Sequence, residues 1–97
     1  MNSIKGAPVG APYFVTEVKT IAQTVLSSLR VGDTCTVRRL DNHGTMRQRL
    51  GELGFVGGSP VTCLQRSFLG DPAAYLVKGA VIALRDSDAR CIVVDII

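Results

Sequence analysis

Three cysteines, one histidine and a scatter of arginines are the side chains in this sequence that could bind a metal, hold an anion or attack a substrate. Cys35, Cys63 and Cys91 lie 28 residues apart in each step and form no C-x-x-C pair. An odd, evenly spread set signals neither a disulfide framework nor a zinc ribbon. Thr-Cys-x-x-Arg occurs twice, at Thr34–Arg38 and Thr62–Arg66, but the flanks do not extend the match into a repeat. Each cysteine sits in an extended apolar run, where a free thiol behaves as a small buried hydrophobe. Core packing is therefore the expectation, with a soft-metal site built around His43 as its rival. His43 itself stands in the polar stretch Asp41-Asn42-His43-Gly44 and reads as a solvated loop residue. An iron chaperone needs several hard or borderline ligands within reach. One histidine with scattered Cys and Asp residues does not supply them, so no metal set and no cofactor is expected. Catalytic signatures are missing too: there is no G-x-S-x-G, no H-E-x-x-H and no P-loop run. Gly57-Gly58-Ser59 runs into Pro60, which suits the start of a strand and offers phosphate no helix N-terminus. Arg38, Arg39, Arg47, Arg49 and Arg66 could face a nucleic acid, but no aromatic stacking platforms interleave with them. An enzyme is not expected, and nucleic acid is not an expected partner.

A chain of 97 residues makes one domain of modest size, with 46% apolar residues to fill its core. A net charge of +3 with 20% charged residues is compatible with an anionic partner without requiring one. The longest apolar runs, Ala80–Leu84 and Cys91–Val94, fall far short of the ~20 residues of a membrane span. The first residues lack the charged and apolar regions of a secretory signal. A reduced cytoplasmic setting is expected.

The one segment with a full set of helix signals is Gly44 to Phe55, GTMRQRLGELGF. Thr45 and Gln48 have the spacing of a capping box. Met46, Leu50 and Leu53 fall at i, i+4 and i+7 and form one apolar stripe. Gly54 stands where a left-handed residue closes a helix, and Phe55 follows to fold back onto Leu50. So short a helix must lean on other elements, and strands are what surround it. Residues 1–14, rich in Gly, Ala and Pro, read as a flexible tail. From Val15 to Leu29 apolar residues follow a helical period, predicting a helix to about Gln23 and then a single turn capped by Thr24. Five strands are expected: Thr34–Leu40, Val61–Phe68, two flanking Lys78-Gly79 as a hairpin, and Cys91–Ile96. Gly70-Asp71-Pro72 marks a turn between the second and third, and Asp86–Ala89 a helical turn before the last. Short antiparallel strands with Gly at the corners favour a small barrel, which hides sheet edges. The resulting expectation is a mainly β, five-stranded SH3-like antiparallel barrel over 30–97. One short α-helix follows the first strand, and a helical extension over 15–29 precedes the barrel.

Several pieces follow one another in a definite order: Leu29-Arg30-Val31-Gly32-Asp33, then Met46 to Phe55 (MRQRLGELGF), then Gly58-Ser59-Pro60-Val61 and Gly70-Asp71-Pro72-Ala73. Val77-Lys78-Gly79 and Ala83-Leu84-Arg85, leading to Ala89–Val94, complete the series. In this order they resemble the FeoA family, the small cytoplasmic accessory proteins of bacterial ferrous iron uptake. The resemblance covers about seventy residues and leaves the first 23 unmatched. It implies an SH3-like barrel, a fold that also occurs as the carboxy-terminal domain of DtxR-type metal-dependent repressors, so fold alone does not set function.

What the resemblance implies about function is a non-enzymatic module of ferrous iron transport. Its partner would be the cytoplasmic part of the permease FeoB, which the resemblance implies carries a GTPase domain, and its contact with the membrane would be indirect. SH3-like barrels use grooves between loops. The exposed candidates are Arg47, Arg49 and Glu52 on the helix and Phe68, Leu69 and Tyr75 around Gly70-Asp71-Pro72. Apolar and arginine side chains are what an interface uses. The bland reading of the helix residues is a solvated face, and that of Phe68 and Leu69 is core closure. Arg47 or Arg49 could in principle act as an arginine finger on a GTPase. The alternative is a metal-responsive or nucleic-acid-associated SH3-like module unrelated to FeoB.

Overall fold

Alternation of apolar and polar residues from Thr34 to Leu40 does build a strand, and among the described residues it is the second of six rather than the first of five. A computed structural model describes residues 22–96. Its elements are β1 (Ala22–Val25), a 3-10 turn (Leu26–Ser28), β2 (Thr34–Leu40) and α1 (Gly44–Leu53). They continue with β3 (Pro60–Arg66), β4 (Ala73–Val77), β5 (Ala80–Leu84), α2 (Asp86–Ala89) and β6 (Ile92–Ile96). The strands form one antiparallel sheet in the order β1-β6-β2-β3-β4-β5. The fold is mainly β as expected, and among the described residues the sheet keeps two edges, β1 and β5.

The added strand corrects the helix expected up to Gln23. Ala22 and Gln23 are extended and pair with Ile96 and Asp95 of β6. Thr24 and Val25 are β-branched, and a partner strand decides in favour of extension where helix propensity is weak. The single turn that follows is present at Leu26–Ser28, without the expected cap: Thr24 lies in β1, and its hydroxyl meets Ser28 Oγ at 2.9 Å. The tail expected over 1–14 and the part of the expected helix over 15–21 lie outside the described residues.

Packing follows the period-two pattern. Cys35 and Val37 of β2, Val61 and Cys63 of β3, Tyr75 and Val77 of β4 and Ile92 and Val94 of β6 turn inward. Leu26, Leu29, Leu50 and Phe55 close the same cluster. β2 and β3 each carry a bulge, between Val37 and Arg39 and between Cys63 and Gln65, which bends a strand and re-aims its side chains. β3 also ends at Arg66, so Phe68 falls outside the strand that was expected to run through it. The β4–β5 hairpin turns at Lys78 (φ 50) and Gly79 (φ 79), two left-handed residues that match the twist of the flanking strands.

The helix starts differently from its sequence signal and stops as its signal indicated. α1 begins at Gly44 after His43, with no side-chain cap, so the Thr45–Gln48 capping box is not formed. Its end is a Schellman motif. Gly54 has φ 113; its N–H donates to the Gly51 carbonyl at 3.1 Å, and the Phe55 N–H donates to the Leu50 carbonyl at 3.0 Å. Of the Met46, Leu50, Leu53 stripe only Leu50 is wholly buried, Met46 packs partly against the core, and Leu53 remains 38% exposed.

Candidate functional site

The residues proposed for contact fall on two elements and in the core. Tyr75 leaves the exposed set: it is 1% exposed on the inner face of β4. Its phenol is pushed up in pKa chiefly by that burial, with the Arg66 guanidinium opposing the shift. The parity of β4 explains this, because Tyr75 shares a face with the buried Ala73 and Val77.

Phe68 and Leu69, by contrast, are 101% and 87% exposed. They occupy the middle of a turn closed by the Gly70 N–H to the Ser67 carbonyl at 2.8 Å. The base of this loop is braced on every side. The Ser67 N–H donates to the Pro72 carbonyl at 3.0 Å. Asp71 Oδ1 accepts the N–H of Asp86, capping α2 from fifteen residues away at 2.8 Å. Arg66 donates to the Gly70 carbonyl at 3.4 Å and reaches across to the carbonyls of Ser27 (2.7 Å) and Leu29. The bracing holds two apolar side chains out in solvent, which lowers the ordering cost of any contact made there.

Arg47, Arg49 and Glu52 are exposed on α1, but the two arginines line different grooves. Arg47 donates to the Leu40 carbonyl and borders a groove of about 440 Å³ with Arg39, Gln48, Phe55 and Val56. Arg49 borders one of about 240 Å³ between α1 and β5, with Leu53, Ile82 and Arg85. Neither groove is lined by Glu52, Phe68 or Leu69.

The other basic residues are largely engaged within the fold. Arg38 pairs with Asp95 and Arg39 with Asp41, both at 3.0 Å. Arg66, which the sequence offered as a possible phosphate contact, instead ties backbone carbonyls together. Sequence reasoning missed that role because the Ser27–Leu29 turn lies almost forty positions away. It also passed over Arg85, whose relation to α1 exists only in three dimensions. Cys35 and Cys63 are buried and unpaired, and Cys91 is partly exposed. Burial and the nearby Asp33 and Asp95 carboxylates push the Cys35 thiol up to about 11, so it packs as a neutral hydrophobe. His43 is exposed just before α1. Among the described residues no three His, Cys, Asp or Glu side chains gather as a metal cluster, and no helix is long and apolar enough to cross a membrane.

Comparison with known proteins places these features in a family. The FeoA domain model matches residues 24–96. The chain is 38% identical over 72 residues to a fusion protein of Fe(2+) transport protein A and the Fe(2+) transporter FeoB from Porphyromonas gingivalis. That match takes in 74% of this chain and 8% of the fusion, so the chain spans a small part of that relative. Among solved structures, FeoA from Chlorobium tepidum is 32% identical, with a TM-score of 0.73 over 76% of this chain and 70% of the other. FeoA of Stenotrophomonas maltophilia complexed with zinc, described as a procaryotic SH3 domain protein, is 34% identical. Its TM-score is 0.68 over 74% of this chain and 89% of that one. Mainly β, SH3-like and matched along its described length, the chain belongs to the FeoA family of ferrous iron transport accessory proteins.

Proposed function

We propose that this domain is a non-enzymatic interaction module that docks on the cytoplasmic part of a FeoB-type ferrous iron transporter and modulates transport. The observation that carries this reading is the fused relative, in which the matching segment and the transporter share one polypeptide. Covalent joining holds two domains at high effective concentration, which is useful where they act together. The surface supports the same reading. Phe68 and Leu69 stand exposed on a braced loop, and Arg47, Arg49 and Glu52 stand exposed on α1. Aromatic and arginine anchors are the residue types that dominate interface energies. The nucleic-acid alternative loses Arg38, Arg39 and Arg66 to contacts within the fold.

Titration calorimetry against the isolated cytoplasmic domain of the cognate transporter, with GDP and with a GTP analogue, tests the reading. Saturable binding that weakens about tenfold or more in Phe68→Ala or Arg47→Glu is the expected result. Dependence on the nucleotide would make the module a regulator rather than a scaffold. No heat in either state at about 100 μM, a concentration that detects even weak docking, would overturn the cytoplasmic contact.

A further inference from the structure

Among the described residues β5 is an edge strand, and its own sequence carries no protection of the usual kind. Its sequence, Ala80-Val81-Ile82-Ala83-Leu84, contains no charge, no proline and no bulge. Natural edges usually carry one of these to prevent pairing with other chains. The parity of the hairpin fixes which backbone groups are free. With Val77 and Ala80 closing a two-residue turn, Ala80, Ile82 and Leu84 bond back to β4. The N–H and C=O groups of Val81 and Ala83 therefore point away from the sheet, and among the described residues nothing pairs with them. Beside this strand, α1 forms the other wall of the groove with Met46, Arg49 and Leu53, facing Ile82, Ala83 and Arg85. Leu53, 38% exposed, and the partly buried Ile82 give the groove an apolar lining that the other described residues leave open. Arg49 and Arg85 make no ion pair or side-chain hydrogen bond with the described residues. Against them stands one carboxylate in the groove, that of Asp88.

We propose that the groove between α1 and β5 receives an extended acidic segment of the partner protein as an additional antiparallel strand. Main-chain bonds to Val81 and Ala83 supply the pairing. Alternate apolar side chains enter against Leu53 and Ile82, and carboxylates meet Arg49 and Arg85. This is the β-augmentation mode, in which backbone bonds give affinity and alternate side chains give specificity. The inference rests on the reading of the domain as an interaction module and specifies how one contact is made.

The test uses the full chain, labelled for amide NMR, titrated with a short capped peptide of alternating valine and glutamate. The amides of Val81, Ala83 and Leu53 are expected to shift saturably. A valine–lysine peptide is expected to bind at least about tenfold more weakly, and valine–glutamate peptide with alternate amides N-methylated not at all. Combining Arg49→Glu with Arg85→Glu, two exposed positions, is expected to reverse the preference between the two peptides without changing the unbound spectrum elsewhere. Four outcomes would overturn the proposal. One is no saturable shift by about 1 mM peptide; another is equal binding of the lysine peptide. β5 signals that broaden on raising protein concentration alone would assign the edge to a second copy. Binding seen only after removal of residues 1–21 would assign it to the chain's own leading segment. Calorimetry with the transporter domain separates the two readings. Undiminished binding by the double arginine variant removes the groove and leaves the module, whereas peptide binding without transporter binding does the reverse.

Discussion

Gly54 concentrates two constraints at one position. Its φ of 113 lies in the left-handed region, and a Cβ built there would sit 2.7 Å from Lys78 Cγ. Gly54→Val therefore strains the backbone and displaces the Lys78 stem, with an expected loss of about 1–3 kcal/mol in urea denaturation. An unchanged midpoint would remove the left-handed cap. Cys35 offers a second residue-level check. Its thiol is raised from 9.0 to about 11 in the folded protein, so the folded state holds a proton that the unfolded state releases first. The corresponding stability is intact below pH 9 and is lost as pH climbs from about 9 to 11. Cys35→Ala should flatten that decline in a pH series of thermal midpoints, and alkylation near pH 8 should mark the partly exposed Cys91 well before Cys35. Residue types announced such behaviour where it depends on near neighbours in sequence. Gly54 was legible from its place after a periodic stripe, and the cysteines from their apolar runs. Tyr75 was not, because a turn nearby made it look exposed while strand parity turned it inward.

At the scale of elements, the contrast between α1 and the β3–β4 loop separates what holds the fold from what faces outward. Leu50 is wholly buried, and Leu50→Ala is expected to cost ~2–5 kcal/mol, depending on how far the site collapses. Phe68→Ser and Leu69→Ser remove side chains that touch little of the domain and should leave stability within about 0.5 kcal/mol of the parent. A large loss in either would mean the loop closes onto the core. β2, α1, the hairpin and the last strand could be read from periodicity and turn chemistry because each signal is local. β1 could not, since its helical spacing of apolar residues was overruled by pairing with β6 about seventy positions away. The start of α1 was misread for a related reason. Thr45 had the right spacing to cap, but the cap position falls two residues earlier, at His43, and Gly44 is already helical. The brace of Asp71 on α2 likewise joins segments that no local pattern connects.

For the whole molecule, strand order decides where protection is greatest and where new pairing can begin. β6 lies between β1 and β2, and β3 lies between β2 and β4, whereas β5 is bonded on one side among the described residues. Amide hydrogen exchange should therefore be slow through β6, β2 and β3. Along β5 it should alternate, with Ile82 and Leu84 protected and Val81 and Ala83 exchanging fast. Uniform protection along β5 would show that its outer edge is already paired. The sequence conveyed the class of fold but not this order, which depends on contacts between distant segments.

That order also fixes where the domain connects to the rest of a polypeptide. Ala22 lies directly across from Ile96 in the β1–β6 ladder, so the domain is entered and left at neighbouring points on one side of the sheet, while β5 closes the opposite end of the strand order. A unit with adjoining ends can be spliced into a longer chain, or hung from one, without stretching either junction.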